Sequence, residues 1–204
     1  MFKPVIVAFN KPKGFVVSKA DKHNKTIYKL LPPSWRKDFF YVWRLDKDSR
    51  GLLLLTNVPE LVNEYEHPSS KIFKIYEVQI DNFIKKHHLL KLKRGVYITD
   101  DGEHIPDTKI NEHKGQHTDL LQFHDINIVK DRKWKLLARI VLTYGKKRHI
   151  RRALGAFGYK VHDLCRIKYG KYQLWNIKPG KYCIYKINLN KELNQRKVKQ
   201  RKLK

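Results

Sequence analysis

Trp43-Arg44-Leu45-Asp46-Lys47-Asp48-Ser49-Arg50-Gly51-Leu52-Leu53-Leu54-Leu55-Thr56-Asn57 puts five charged residues into the seven positions from Arg44 to Arg50, then four leucines without a break. This is the pattern of a polar loop feeding a fully buried segment. An apolar anchor of that kind can hold a loop carboxylate in place, and functional groups concentrate on loops fixed by a packed scaffold. The spacing Asp46-x-Asp48-x-x-Gly51 is that of the start of a calcium loop, but Arg50 stands at position five and Asn57 at position twelve, where a bidentate Glu is needed. Two readings remain: a solvated turn with Asp46 paired to Arg44 or Arg50, which composition alone favours, and a catalytic carboxylate kept ionised by a guanidinium.

The surrounding chain narrows the class. Its 204 residues are enough for a substantial core, and 41% of them are hydrophobic, which argues for a folded body. No apolar run approaches the roughly 20 residues that span a bilayer, and Met1-Phe2-Lys3-Pro4 lacks a signal-peptide pattern, so a soluble, cytoplasmic protein is expected. Cys165 and Cys183 are the two cysteines and lack CxxC spacing, which points to reduced thiols. His113 and His117 have helical spacing, but Gly115 lies between them and no HExxH pattern follows, so no metal site is expected. Forty-five Lys and Arg against 19 Asp and Glu leave a net charge of +26, an excess whose natural counterpart is a nucleic acid. Residues 191–204 concentrate it, with seven Lys or Arg against the single Glu192, as a basic tail able to track phosphates.

Residues 4–10 read as a buried strand, broken by Lys11-Pro12-Lys13-Gly14. That segment is either a rigid turn that can approach a phosphate or an ordinary charged turn. Short helices are predicted over 26–31, stopped by Pro32-Pro33 and followed by a basic turn through Arg36 and Lys37, and over 60–66. Alternation over 71–80 sets Phe73, Ile75 and Glu77 on one face of a strand and Lys74, Tyr76, Val78 and Ile80 on the other. Residues 81–95 predict a helix with Phe83-Ile84 and Leu89-Leu90-Leu92 on one side, ended by Gly95. Asp100-Asp101-Gly102 marks a hairpin within 96–110, residues 111–117 a polar loop, and 120–129 with 134–144 two antiparallel strands joined around residues 130–133. A helix is expected from about His149, with Ile150, Leu154 and Phe157 at helical spacing and Gly158 as its cap. Between residues 143 and 172 there are nine Lys or Arg and one acid, Asp163, a local footprint for phosphates.

Several of these stretches resemble motifs of one family. Arg44-Leu45-Asp46-x-x-Ser49-x-Gly51-Leu52-Leu53-Leu54-Leu55-Thr56-Asn57 resembles the catalytic motif of the RsuA/RluE group of ribosomal RNA pseudouridine synthases, whose Asp is the nucleophile; this implies Asp46. Trp43 stands where that group usually has Gly, and Val58-Pro59 where it commonly has Asp-Gly. Lys11-Pro12-Lys13-Gly14 is similar to the turn that opens the family's catalytic domain. Lys74-Ile75-Tyr76-Glu77-Val78 is similar to the second motif, whose Tyr stacks on the target base and is the usual candidate for general base, although Ile75 replaces the common Thr. Against an ordinary core aromatic, the resemblance favours that role for Tyr76. Tyr144 to Ala153 resembles the third motif, with Tyr144, His149 and Ala153 replacing Glu, Gln and Met, and the family's carboxylate-pairing Arg maps to Arg151. Alone, Arg151 could equally be a phosphate contact. Residues 161–174 and 177–182 match the closing pattern, in which Leu164 would wall the uracil pocket and Arg166 would meet backbone.

The resemblance spans about residues 9–187 and implies an α+β fold: a mixed, mainly antiparallel sheet with flanking helices and a central RNA-binding cleft, in two lobes. A catalytic domain over 1–190 and a basic tail over 191–204 are expected. Only ten residues precede Lys11, so the S4-type RNA-binding domain that many such relatives carry there is expected to be missing. The implied activity is isomerisation of a uridine in ribosomal RNA to pseudouridine by a monomer, without cofactor or metal. Asp46, Tyr76 and Arg151 are the catalytic set; Lys11, Lys13, Arg44, Lys74, Lys147, Arg148, Arg152, Leu164 and Arg166 are the RNA and substrate contacts. The rival from another class is a non-catalytic RNA-binding factor of ribosome assembly on the same scaffold.

Overall fold

The computed structural model describes residues 3–99, 102–106, 108–109, 118–130, 136–189 and 192. In chain order the strands are β1 (Val5–Lys11), β2 (Phe40–Val42), β3 (Arg50–Thr56), β4 (Lys74–Ile80), β5 (Val96–Thr99), β6 (His104–Ile105), β7 (Thr118–Leu121), β8 (Asp125–Lys130), β9 (Leu136–Leu142), β10 (Val161–Tyr169), β11 (Tyr172–Gln173) and β12 (Tyr182–Lys186). The α-helices are α1 (Trp35–Asp38), α2 (Pro59–Glu66), α3 (Lys86–Arg94) and α4 (His149–Gly155). Together they make an α+β protein. The chain divides into two compact units, Met1–Ile72 with Arg166–Lys204, and Phe73–Cys165.

In the first unit β1 lies between β12 and β3, antiparallel to both, and Ile6, Val7, Ala8 and Phe9 are buried completely. A strand covered on both faces needs no polar alternation, which is why Leu52 to Leu55 run on without one; all four are also fully buried. Burying each leucine contributes about 1.5–3 kcal/mol. Leu52 and Leu54 pack with Ile6, Ala8, Val42, Leu61 and Tyr65 on one side of the sheet. The end of the leucine segment is tied to β1 by side chains: the Val5 N–H donates to Asn57 Oδ1 (2.9 Å) and Thr56 Oγ1 donates to the Val5 carbonyl (2.9 Å). Val58-Pro59 begins α2, with Pro59 in its first turn, where a missing N–H costs nothing. The expected helix over 26–31 is a single 3-10 turn, Ile27–Leu30, released into extended backbone at Leu31 by Pro32. The basic turn at Arg36 and Lys37 is the one-turn helix α1.

In the second unit β9 lies between β4 and β8, antiparallel to both, and β5 lies between β6 and β7 in a separate sheet. β4 buries Lys74, Tyr76, Val78 and Ile80 and half-exposes the residues between them, as its alternation predicts. Two expectations need correction. The helix predicted over 81–95 begins only at Lys86, because Asp81 instead pairs with Lys160 through its backbone and carboxylate, and Phe83 and Leu90 are exposed. The single strand predicted over 120–129 is two strands in two sheets: the Phe123 N–H donates to the Leu92 carbonyl (2.9 Å), and its buried ring breaks the run between β7 and β8. Gly95 ends α3 at φ +109, and a Cβ there would sit 2.7 Å from Leu120 Cδ1, so only glycine fits. The hairpin turn at Asp100-Asp101, the loop 111–117, the turn 131–133 and all of the basic tail except Glu192 lie outside the described residues.

Candidate active site

Within the first unit the loop 43–49 is held from beneath by two buried cations. Lys11, at the end of β1 and fully buried, donates its Nζ to the carbonyls of Ser49 (2.7 Å), Asp46 (3.0 Å), Pro12 (3.1 Å) and Lys47 (3.4 Å). Arg166, also fully buried, donates Nε to the Leu52 carbonyl (2.7 Å) and Nη2 to the Trp43 carbonyl (2.8 Å). The Asp46 carbonyl accepts the Ser49 N–H (3.1 Å), and the Lys47 carbonyl accepts the Gly14 N–H (2.8 Å), which fastens the Lys11-Pro12-Lys13-Gly14 turn to the same loop. On the loop's side all these contacts use backbone atoms, and the Asp46 side chain is half-exposed. Leu45 and Ser49, on either side of it, are buried.

Burial lowers the Lys11 pKa from 10.5 to about 8; the Asp46 and Asp48 carboxylates pull it upward and the Arg166 guanidinium pushes it down. Asp46 therefore has a buried ammonium as an electrostatic partner within its own unit.

Trp43 occupies the left-handed region at φ +52, its N–H donating to Glu66 Oε1. The loop thus keeps the backbone that a glycine would adopt without strain, with an indole in place and packed partly on the core. Trp43→Gly should be about 1 kcal/mol more stable than Trp43→Ala in urea unfolding, because both lose the indole and only Ala retains the left-handed strain. An Ala variant as stable as the Gly variant would contradict this.

The RNA contacts expected from sequence separate into two groups. Lys13, Arg44, Lys147 and Arg148 are exposed. Lys11, Lys74 and Arg166 are not: their cationic groups are buried and bound to carbonyls, Lys74 Nζ to that of Thr143 (2.8 Å), so they support backbone and are not offered to phosphate. Arg152 is likewise engaged, with Nη1 on Asp119 Oδ2 and Nη2 on the Thr99 carbonyl (3.1 Å), and Lys146 Nζ binds the other Asp119 oxygen at 2.6 Å. Asp119 escaped the sequence reading because its partners lie 27 and 33 residues away.

In the second unit Tyr76 is buried on β4 opposite Ile140, Leu164 is buried on β10, and Arg151 on α4 is half-buried with Nη1 donating to the Val161 carbonyl (2.9 Å). His149 is buried between Tyr144 and Phe123, and burial lowers its pKa to about 4, so it is a neutral core imidazole. Among the described residues no group of three His, Cys, Asp or Glu is arranged to hold a metal ion, and no helix is long and apolar enough to cross a membrane.

The family model described as RNA pseudouridylate synthase matches residues 5–156, which contain Lys11, Asp46, Tyr76 and Arg151. A Buchnera aphidicola protein named ribosomal large subunit pseudouridine synthase B is 32% identical over 170 residues, covering 83% of this chain and 62% of that protein. A Rickettsia felis protein named as an uncharacterized RNA pseudouridine synthase is 32% identical over 175 residues, covering 84% of this chain and 66% of that one. The chain thus spans 62% and 66% of the length of these two curated relatives. Among solved structures, a pseudouridylate synthase superposes with a TM-score of 0.72 at 19% identity, over 95% of this chain and 74% of that one. Human RNA pseudouridylate synthase domain containing 1 gives 0.52 at 10% identity, over 94% and 90%. The fold is common to this chain and these two solved structures, and with the family model matching from β1 through α4, this chain belongs to the RNA pseudouridylate synthase family.

Proposed function

We propose that this chain isomerises a uridine in ribosomal RNA to pseudouridine as a member of the RsuA/RluE group, with Asp46 as nucleophile. The observation that carries the reading is the loop 43–49: a half-exposed carboxylate on a backbone gripped by two buried cations is a preorganised reacting group, which a solvated turn would not need. The net charge of +26 supports a polyanionic substrate, and the Buchnera relative's name supports ribosomal RNA. The target base leaves its stack to be reached. The glycosidic bond from N1 breaks, a bond from C5 to the same sugar carbon forms, and the C5 proton is lost while N1 gains one, so no atom is added or removed overall. Tyr76 and Arg151 keep, as part of this proposal, the roles that the resemblance implies for them.

Incubating the purified chain with unmodified ribosomal RNA and mapping pseudouridine tests the reading. A defined new site that Asp46→Ala fails to produce is expected. RNA binding by both proteins, with pseudouridine from neither, would instead favour a non-catalytic assembly factor.

The basic segment 191–204 is proposed to strengthen RNA binding. Deleting residues 193–204 should raise Kd and flatten its salt dependence by about 0.7 log units per lost single-strand phosphate contact, leaving turnover at saturation nearly unchanged. Glu192 is retained because it pairs with Tyr65 and Lys171. An affinity equal to that of the full chain at low and moderate salt would remove the idea.

A further inference from the structure

Trp175 is more exposed than any other large hydrophobic side chain described, at 72%, and its backbone is left-handed at φ +43. A side-chain-bearing residue holds that conformation only where its surroundings impose it. Here they do. The Leu174 N–H donates to the Ile167 carbonyl (2.9 Å) and the Ile177 N–H to the Leu174 carbonyl (3.2 Å), while Asn10 Nδ2 donates to the Ile177 carbonyl (2.6 Å). Leu174 and Ile177 pack on the core of the first unit. Leu174 and Ile177, on either side of the indole, are therefore pinned, and the indole is turned out.

Strand register places this indole at the chemically interesting end of its unit. Lys11 at the end of β1 pairs with Gly51 at the start of β3, and Phe9 pairs with Tyr182 at the start of β12. The loop 43–49, leading into β3, and the loop 174–181, leading into β12, consequently issue from the same end of the sheet. Asn10 links them directly: it exchanges backbone hydrogen bonds with Gly180 (2.8 Å) and Lys181 (3.0 Å), and its neighbour Lys11 holds the Asp46 carbonyl. Lys13, Arg44, Lys47, Lys178 and Lys181 are exposed in the segments gathered there.

A rigidly displayed indole among cations has the chemistry of a single-strand nucleic-acid contact, since every base offers a face for stacking and the cations follow the backbone. Asn176 and Lys178, beside Trp175 in sequence, are exposed and polar, which favours a base over the extended apolar surface a protein partner would present. We infer that Trp175 stacks on an unpaired base flanking the target uridine, as a positioning residue that helps hold the RNA strand open. This rests on the proposed function.

The test measures binding of the full chain to a labelled single-stranded RNA of about 12 nucleotides, within the site size of one aromatic-lined groove, and to a duplex of the same length, by fluorescence anisotropy across a salt series. Trp175→Ala should weaken single-strand binding about ten-fold. Trp175→Phe should restore most of it. The slope of log K against log salt should stay that of wild type, because no phosphate contact is lost, and duplex affinity should not change. Trp175→Gly, which removes the ring and the backbone strain together, should lose affinity as the Ala variant does while unfolding at no lower temperature than wild type, which separates stacking from misfolding. Single-strand affinity of Trp175→Ala within two-fold of wild type, or an equal loss on duplex, would overturn the inference. Pseudouridine mapping distinguishes its failure from that of the proposed function: stacking fails alone if pseudouridine forms and Trp175→Ala binds single strands normally. The enzyme reading fails alone if neither wild type nor Asp46→Ala makes pseudouridine while Trp175→Ala still loses single-strand affinity.

Discussion

Asp46→Ala should lower the single-turnover rate of pseudouridine formation by about 10⁴-fold or more, the scale on which removal of a reacting nucleophile acts. RNA affinity should stay near wild type, and stability should change little. That combination follows from the loop's construction. Lys11 grips the carbonyls of Asp46, Lys47 and Ser49, none of which the substitution touches, so the backbone stays in place when the carboxylate is removed. Asp46→Asn should be equally inactive, because the amide keeps the shape and loses the charge. Removing the carboxylate should also lower the Lys11 pKa further below about 8, since Asp46 is one of the two groups that raise it. A rate within ten-fold of wild type in either variant would remove Asp46 from the reaction, whatever the family of the chain.

Lys11→Met is expected to damage stability and rate together. Methionine fills much of the same volume but leaves carbonyls in a buried site without their donor, a cost of about 3 kcal/mol on the scale for unsatisfied buried acceptors. The freed loop should then misplace Asp46, and a displacement of about 1 Å can cost roughly 100-fold in rate. Because the ammonium is buried, the loss should fall on kcat while the Kd for RNA holds. Affinity falling as steeply as rate would restore Lys11 to the role of a phosphate contact.

The pH dependence of this lysine gives an independent check. Folding lowers its pKa from 10.5 to about 8, so between these values the unfolded chain keeps a proton that the folded chain has released. Stability therefore gains from this group as pH rises from about 8 towards 10.5, whereas below pH 8 the folded state carries the full penalty of a buried charge. Function should move the other way. Above pH 8 the neutral amine has two N–H groups for the four carbonyls that accept from Nζ, so the rate should fall just where this contribution to stability rises. Lys11→Met should lack that part of the stability profile.

Much of the architecture was legible in local pattern. The leucines of β3, the alternation of β4 and the proline stop after Leu31 each rest on steric or periodic rules that act within a few residues, and the structure has each of them. The overlong helix before Gly95 and the undivided strand across Phe123 failed for the opposite reason. Asp81 is occupied by Lys160 and Phe123 by Leu92, partners that no local window contains. The same distance explains the lysines. A Lys beside Pro and Gly reads as an exposed cation because most lysines are, yet Lys11 meets carbonyls 35 to 38 residues onward.

By itself, then, the sequence determined which segments are strands buried on both faces, the basic character that calls for a polyanion, and the order of motifs that points to one family. Those properties are sums over neighbouring residues or over composition. Only the tertiary structure decided which cations face solvent and which are consumed in holding backbone, that Trp43 reproduces a glycine's conformation, and that Trp175 stands at the same sheet end as the Asp46 loop. Each of these depends on strand register and on desolvation, and both are set by segments far apart in the chain.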